Sequence, residues 1–417
     1  MSELVHRTLP CGVEFAAEIL PGRPTAALEI RILAGYADEP ADKLGLARLL
    51  EQVVDKGTAR RDGRGVLDAF DAVGAQRASA TGRHTTAFST LVLPEFLPQA
   101  LDLHAEMLRT PTLPQDACDV AVELASQELS SLEDDPQSLA EKLIDRQAYG
   151  AVLGRHPLGE RGTLETITRA DIEAHWHKTF AAGRMLVCVA GDVNVDAVAE
   201  HVQKCFDGFG SAQSAGRNAV PIEFAAARTH HAKELEQEQI AICYPGVALT
   251  DKEYPTEQVM LGVLSGGMSS RLFAEVREKQ GLVYWVGAWS EHPRSAGMIH
   301  LGASTTPERC DKTFETLLRE VDRLRDDLEP GEVQRAIVGI TARTETRGDI
   351  TRAHCTELVN DLFHHGHPIP IEEKIARIQA VDVAAIQRYL DAHPRNALSV
   401  VTLGPRELGT ASEDAET

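Results

Sequence analysis

The fold of this chain can be predicted largely from one stretch, Gly45–Thr58, which reads GLARLLEQVVDKGT. We predict that this stretch forms a helix. Residues four apart on a helix lie one turn from each other on the same face, so Arg48 and Gln52 are neighbours there. Glu51 lies beside them. An arginine, a carboxylate and a carboxamide are therefore expected together at one place on the helix surface.

Length and composition indicate a soluble globular protein of two domains. The chain has 417 residues, which is too long for one ordinary core and fits two domains of about 200 residues each. A hydrophobic fraction of 43% and a charged fraction of 25% are typical of globular proteins. No apolar run approaches the roughly 20 residues that span a bilayer. The N-terminus lacks the apolar core of a signal peptide, so we expect no membrane partner.

The cysteines indicate a reducing compartment. The chain has seven, an odd number, and none of them forms a CxxC pair. Several stand in apolar segments, as Cys188 does between two valines. We therefore predict reduced, buried thiols and a cytoplasmic location.

The net charge of −21 argues against a nucleic-acid partner, because no long basic run offsets it. The charge is compatible with cationic peptides or a basic partner subunit, and solubility alone is the simpler interpretation. The acidic end of the chain, residues 407–417, is predicted to be a disordered tail.

The chain repeats itself at a spacing of 211 residues. Gly35 and Gly246 are 211 positions apart, and each ends a segment whose alternating apolar and polar residues predict a strand. The same spacing separates two aspartates near helix starts and two arginines that precede apolar strands, namely Asp171 with Asp382 and Arg184 with Arg395. Several anchors in one register indicate duplication.

We therefore predict an α+β fold of two homologous domains, each a mostly antiparallel sheet packed with helices. The N-terminal domain covers residues 1–206 and the C-terminal domain residues 223–406. Residues 207–222 between them are rich in small residues and are predicted to be a linker. Two long amphipathic helices are predicted, over about residues 115–147 and 310–328.

Several segments together resemble the pitrilysin/insulinase superfamily of zinc peptidases, in particular its small two-domain branch that includes the subunits of the mitochondrial processing peptidase. They are the Gly45–Thr58 helix, the helix bearing Glu128, the strand 184–192 and the segment 265–289. The resemblance covers nearly the whole chain. It implies a peptidase fold, a metallopeptidase ancestry and a dimeric assembly.

In that superfamily the first helix carries His-x-x-Glu-His, in which two histidines bind zinc and the glutamate activates a metal-bound water. Here Arg48 and Gln52 stand at the histidine positions and only Glu51 persists. The family's third ligand is a glutamate about 76 residues further on, and 128 minus 52 is 76, at Glu128. A guanidinium cannot bind a metal, so we predict a degenerate site without zinc, in which Arg48 lies near Glu128 with Glu51 within its reach.

The second half matches the family pattern "SSRLF…VREK.GL.Y" over Ser269–Tyr284. In active relatives an arginine and a tyrosine seven residues later face the zinc across the substrate chamber. The arginine holds substrate oxygens and the tyrosine donates a hydrogen bond to the oxyanion. The match assigns these roles to Arg277 and Tyr284. A purely structural role for this pair is the alternative.

The two glutamates and one edge segment also allow non-functional interpretations. Glu51 and Glu128 are more simply read as ordinary ion-paired carboxylates, because both histidines are missing. The segment 76–88 corresponds to the family's edge strand, to which peptides add by main-chain pairing. The family's asparagine near Arg77 or Ala78 is absent here, which argues against peptide binding along this edge.

The resemblance implies a subunit without its own cofactor, paired with a homologous zinc-bearing subunit and supplying Arg277 and Tyr284 to peptide hydrolysis in trans. A homodimer is the other assembly the resemblance allows. The alternative function is a non-catalytic structural subunit comparable to the core proteins of respiratory complexes. An active homodimeric metalloendopeptidase is a third possibility, disfavoured by the charge of Arg48.

Overall fold

The computed structural model of the chain describes residues 3–211 and 220–409. Its strands are β1 (Glu3–Thr8), β2 (Glu14–Ile19), β3 (Ala26–Ile32), β4 (Gln76–Thr81), β5 (Thr86–Val92), β6 (Met185–Gly191), β7 (Arg228–Ala232), β8 (Glu238–Gly246), β9 (Val283–Glu291), β10 (Gly297–Thr305) and β11 (Ser399–Gly404). The strands form two sheets covered by helices, which confirms the α+β class.

The α-helices are α1 (Leu46–Val53), α2 (Gly63–Ala72), α3 (Leu97–Arg109), α4 (Gln115–Asp134), α5 (Pro136–Leu153), α6 (Arg161–Leu164), α7 (Arg169–Thr179), α8 (Val195–Phe206), α9 (Tyr254–Ser265), α10 (Cys310–Asp326), α11 (Pro330–Arg347), α12 (Thr351–His364), α13 (Ile371–Gln379) and α14 (Val383–Ala392). A π-helical segment covers Phe273–Lys279. None of the helices in the described ranges is long and apolar enough to span a membrane.

The first sheet has the order β1-β2-β6-β3-β5-β4. Neighbouring strands are antiparallel except β2 and β6, which run parallel. All seven residues of β6 are buried, because helices cover both faces of the sheet. Val187 packs into the core on the side of α3 and α8, and Cys188 packs into the core beneath α12. Strand β4 lies at the edge, as the sequence predicted for this segment.

The second sheet has the order β7-β11-β8-β10-β9. Only β7 and β11 are parallel among its neighbours. This order matches β2-β6-β3-β5-β4 of the first sheet strand for strand. The 211-residue spacing relates β3 to β8 and β6 to β11, which occupy equivalent places in the two sheets. The topology therefore supports duplication.

The two compact units of the structure exchange segments between the halves of the chain. The first unit contains Met1–Ser131, Arg155–Asn218 and Thr346–Pro370, and the second contains Leu132–Gly154, Ala219–Glu345 and Ile371–Thr417. Helix α12 packs on β2, β3 and β6, while α5 packs on β8 and β11. The units therefore do not coincide with the contiguous halves 1–206 and 223–406. Of the predicted linker and tail, residues 212–219 and 410–417 lie outside the described residues.

The single long helix predicted over 115–147 is wrong, because the chain breaks between α4 and α5. Asp135 has an extended backbone and its carboxylate accepts a hydrogen bond from the backbone of Gln137. Pro136 follows at the first helical position, where its missing N–H costs nothing, and it disfavours helical geometry in the residue before it. The break places α5 in the second unit.

All seven cysteines are free thiols and lie within the described residues. Six of them are buried, and only Cys205 is partly exposed. The predicted buried thiols are thereby confirmed for six positions.

His354 on α12 anchors this helix to β2. One ring nitrogen faces the Glu18 carboxylate at 2.9 Å and the other faces the Gly348 carbonyl at 2.8 Å. Both partners are acceptors, so the ring must donate from both nitrogens and therefore carries a charge. The hydrogen bond to Glu18 accordingly raises the pKa of His354.

We expect His354→Gln to lower the free energy of unfolding by about 1.5–3 kcal/mol near pH 6, the range for hydrogen bonds to charged groups. A raised native pKa means that this stabilisation is complete below the unfolded pKa of about 6.5 and is lost as pH rises through the native value. Urea unfolding at pH 6 and pH 9 should show a smaller difference at pH 9. The exposed His177→Gln is the control, and an equal difference at both pH values would contradict the prediction.

Candidate functional site

The start of α1 is held by the buried carboxylate of Glu39. It accepts hydrogen bonds from the backbone of Gly45 at 3.0 Å and Ala47 at 2.7 Å. Gly45 has a φ of 101°, which favours glycine. Burial raises the pKa of Glu39 to about 7 despite these donors. This arrangement fixes where α1 begins and hence where Arg48, Glu51 and Gln52 lie.

Arg48 forms ion pairs with two carboxylates. Its guanidinium bonds to Glu51 on the same helix, and its other terminal nitrogen lies 3.7 Å from the carboxylate of Glu128 on α4. The predicted contacts of Arg48 are thereby confirmed. Glu51 is buried with a side chain only 2% exposed, whereas the Glu128 side chain is 44% exposed. The guanidinium therefore compensates a buried carboxylate that would otherwise be left without a cation.

Glu51 is also held from strand β4. The hydroxyl of Ser79 donates to one carboxylate oxygen of Glu51, and the hydroxyl of Thr81 donates to the other at 3.3 Å. Ser79 and Thr81 are two apart on the strand and so share a face. Sequence reasoning missed these two residues. The alternation of the strand places them on one face, but no local signal shows which helix residue that face meets.

Gln52, which the resemblance places at a ligand position of the family, has a buried side-chain oxygen without a hydrogen-bond partner among the described residues. A carboxamide binds zinc poorly. Nearby on β4, Arg77 lies over the ring of Phe70 at 4.1 Å and approaches Asp55 at 3.5 Å. Arg77 therefore serves packing and ion pairing at the edge strand.

In the second unit, Arg277 and Tyr284 lie side by side. The Arg277 guanidinium is 5.6 Å from the centre of the Tyr284 ring and 4.9 Å from that of Phe273, within cation–π range. Tyr284 stands on the edge strand β9 and is 76% exposed. An exposed phenol next to a guanidinium can donate to an anionic oxygen, and the guanidinium can bind a carboxyl or carbonyl oxygen.

Arg271, in the same sequence pattern, has a different role. It is 7% exposed and bonds Asp327 at 2.6 Å and Glu332 with two of its nitrogens at 2.8 and 2.6 Å. These bonds tie the chain just before the π-helical segment to the end of α10 and to the first turn of α11. The sequence pattern of Ser269–Tyr284 therefore contains both a structural arginine, Arg271, and an exposed arginine–tyrosine pair. The catalytic roles of Arg277 and Tyr284 stay predictions.

Within the first unit, the structure brings together Arg48, Glu51 and Glu128, which the sequence predicted as one group. One guanidinium offsets part of the negative charge of the two carboxylates, and its positive charge opposes a divalent cation at the same place. Neither arginine nor carboxamide supplies the imidazole ligands of a tetrahedral zinc site. The cluster is suited to stabilising α1 against α4 and β4.

Comparison with known families identifies matches over most of the chain. The model of the insulinase family, peptidase family M16, matches residues 14–160. The model of the peptidase M16 inactive domain matches residues 166–339.

Individual proteins show the same similarity. An uncharacterized zinc protease of Streptomyces coelicolor is 29% identical over 409 residues, which cover 94% of this chain and 88% of that protein. A peptidase M16 inactive domain from Pseudomonas fluorescens superposes with a TM-score of 0.87 at 20% identity, covering 99% of this chain and 100% of that one. A chain of complex III2 from Candida albicans gives a TM-score of 0.83 at 17% identity, with 96% of each chain covered. The two structural likenesses concern the fold alone.

Proposed function

The chain belongs to the insulinase, or M16, family of peptidases, and on that premise we propose that it is a catalytically degenerate subunit of a two-subunit zinc peptidase. A homologous partner of similar length binds the zinc ion, and this chain supplies Arg277 and Tyr284. The substrates are peptides.

The observation that carries the proposal is the ion pairing of Arg48 with Glu51 and Glu128. A guanidinium lies between the two carboxylates that persist from the family's site, so this chain's own helix is poorly suited to binding zinc. The exposed pair formed by Arg277, in the π-helical segment, and Tyr284, on β9, has no such substitution. Loss of one half of a catalytic apparatus and retention of the other supports a division of labour between two chains.

In the shared site, the chemistry of this chain is binding and charge stabilisation. The phenol of Tyr284 donates a hydrogen bond to the oxyanion that forms when the scissile carbonyl is attacked, without changing its own charge. The Arg277 guanidinium holds a substrate oxygen and also keeps the phenol in place by stacking over its ring. Zinc in the partner subunit would supply the activated water.

The test is reconstitution. The purified chain alone should not hydrolyse a mixture of peptides, and co-expression with a chain of similar length from the same genome that carries His-x-x-Glu-His should give a zinc-dependent peptidase. The partner alone should be inactive or much slower. Metal-dependent hydrolysis by this chain alone would contradict the proposal in favour of an active homodimer.

A non-catalytic structural subunit is the second candidate, because the ion pairing of Arg48 is equally expected of a chain without any catalytic role. The two candidates differ in what removal of the Tyr284 hydroxyl does to an assembled complex. A structural subunit should tolerate the change, whereas a subunit that contributes to the site should not.

A further inference from the structure

A second group of metal-ligand side chains lies in the first unit, between α3 and α8. His201 and Cys205 are four residues apart on α8 and so lie on one face of that helix. Asp102 reaches them from α3, which packs against α8. None of these residues belongs to the cluster around Arg48.

The separations between the three ligand atoms resemble those of a zinc site. The imidazole Nε2 of His201 lies 2.8 Å from Oδ1 of Asp102, and Sγ of Cys205 lies 3.4 Å from the same oxygen. All three atoms lie within 4.8 Å of one another. Zinc bonds of about 2.0–2.3 Å at tetrahedral angles place ligand atoms about 3.3–3.6 Å apart. The three side chains therefore need only small rotations to reach one ion.

The ligand types fit zinc better than a hard cation. Thiolate and imidazole ligands select zinc and other soft or borderline metals, whereas calcium and magnesium prefer oxygen alone. Two of the ligands lie one turn apart on the same helix, and the third comes from a neighbouring helix. The helices therefore fix the relative positions of the three ligands before the ion binds. Three protein ligands leave one coordination position for water or another ligand.

A groove of about 970 Å³ lies beside these ligands, and Asp102 and Cys205 both line it. Arg60, Arg61 and Arg109 also line this groove. The Asp102 side chain is 62% exposed and that of His201 is 31% exposed, so an ion can enter from solvent. Arginines around the groove would favour an anionic fourth ligand.

We propose that Asp102, His201 and Cys205 bind one Zn²⁺ ion, at a site separate from the degenerate one on α1. Binding forms a zinc–sulfur bond, breaks the S–H bond of Cys205 and releases that proton to solvent, while His201 binds as the neutral imidazole and Asp102 as the carboxylate. Because the ion joins α3 to α8, its binding stabilises the first unit.

The experiment uses the full chain, freed of metal by chelation and then titrated with Co²⁺ and with Zn²⁺. A thiolate-bound Co²⁺ ion absorbs in the near ultraviolet, so a charge-transfer band saturating at one Co²⁺ per chain is expected, and Zn²⁺ should abolish it. Zinc at 100 times its Kd should raise Tm by about 3–5 °C.

Variants separate this site from other binding. Cys205→Ser should remove the band, and His201→Gln and Asp102→Asn should each weaken zinc binding at least about tenfold. His177→Gln and Cys118→Ser are the matched controls and should leave the band unchanged. Because Asp102 is exposed, its variant tests the site even if Cys205→Ser fails to fold. A missing band in the wild-type chain, or a band and affinity unaffected by Cys205→Ser and Asp102→Asn, would overturn the proposal.

Discussion

Tyr284→Phe in the assembled complex should lower kcat by about 10²-fold with little change in KM. The substitution removes only the hydroxyl, so the ring can still stack against Arg277. The lost hydrogen bond is made to the oxyanion in the transition state and not to the ground-state carbonyl, which is why the effect should fall on kcat. Steady-state hydrolysis of a fluorogenic peptide by the purified complex measures both constants.

Arg277→Ala tests the other member of the pair and should mainly raise KM, because it removes a group that holds substrate oxygens. The exposed Arg388 on α14 offers a matched control, and Arg388→Ala should change neither constant. Sizing chromatography should show that the complex still assembles in each case. Activity that survives both Tyr284→Phe and Arg277→Ala unchanged would rule out the shared site and favour the structural-subunit function.

Arg48→His combined with Gln52→His should give the α1 site about one zinc ion per chain, since Glu128 already stands at the third ligand position. In the unaltered chain this site should hold far less than one ion, because the guanidinium pairs with both carboxylates. The metal content should be measured in chains that also carry Cys205→Ser. This substitution removes the proposed site at Asp102, so that only zinc bound at the α1 site is counted.

Glu128→Gln added to the double variant is the control and should weaken zinc binding again. Anomalous scattering from crystals locates the ion and distinguishes the two sites. Stoichiometric zinc between α1 and α4 in the unaltered chain would contradict the degenerate-site prediction. Failure of the double variant to bind zinc would show that residues around the ligands have also changed, without bearing on Tyr284.

Local patterns in the sequence were sufficient for several elements. The alternation that ends at Gly35 and again at Gly246 predicted β3 and β8, and both strands are present at equivalent places in the two sheets. The pairing of Arg48 with Glu51 was predictable from helix spacing, and its pairing with Glu128 from the family resemblance, which places a ligand 76 residues beyond Gln52. The break at Asp135 was missed because the apolar spacing continues across it.

The sequence by itself therefore determined the α+β class, the internal repeat, the family and the presence of Arg48 and Gln52 on α1, because these can be read from residue types and their spacing along the chain. Only the tertiary structure decided that Ser79 and Thr81 hold Glu51, that α5 and α12 pack with the other half of the chain, and that Asp102 meets Cys205. Each of these contacts joins residues far apart in sequence. These contacts form where the apolar faces of helices and strands pack together. The polar residues that make the contacts show no periodicity in the sequence from which the contacts could be predicted.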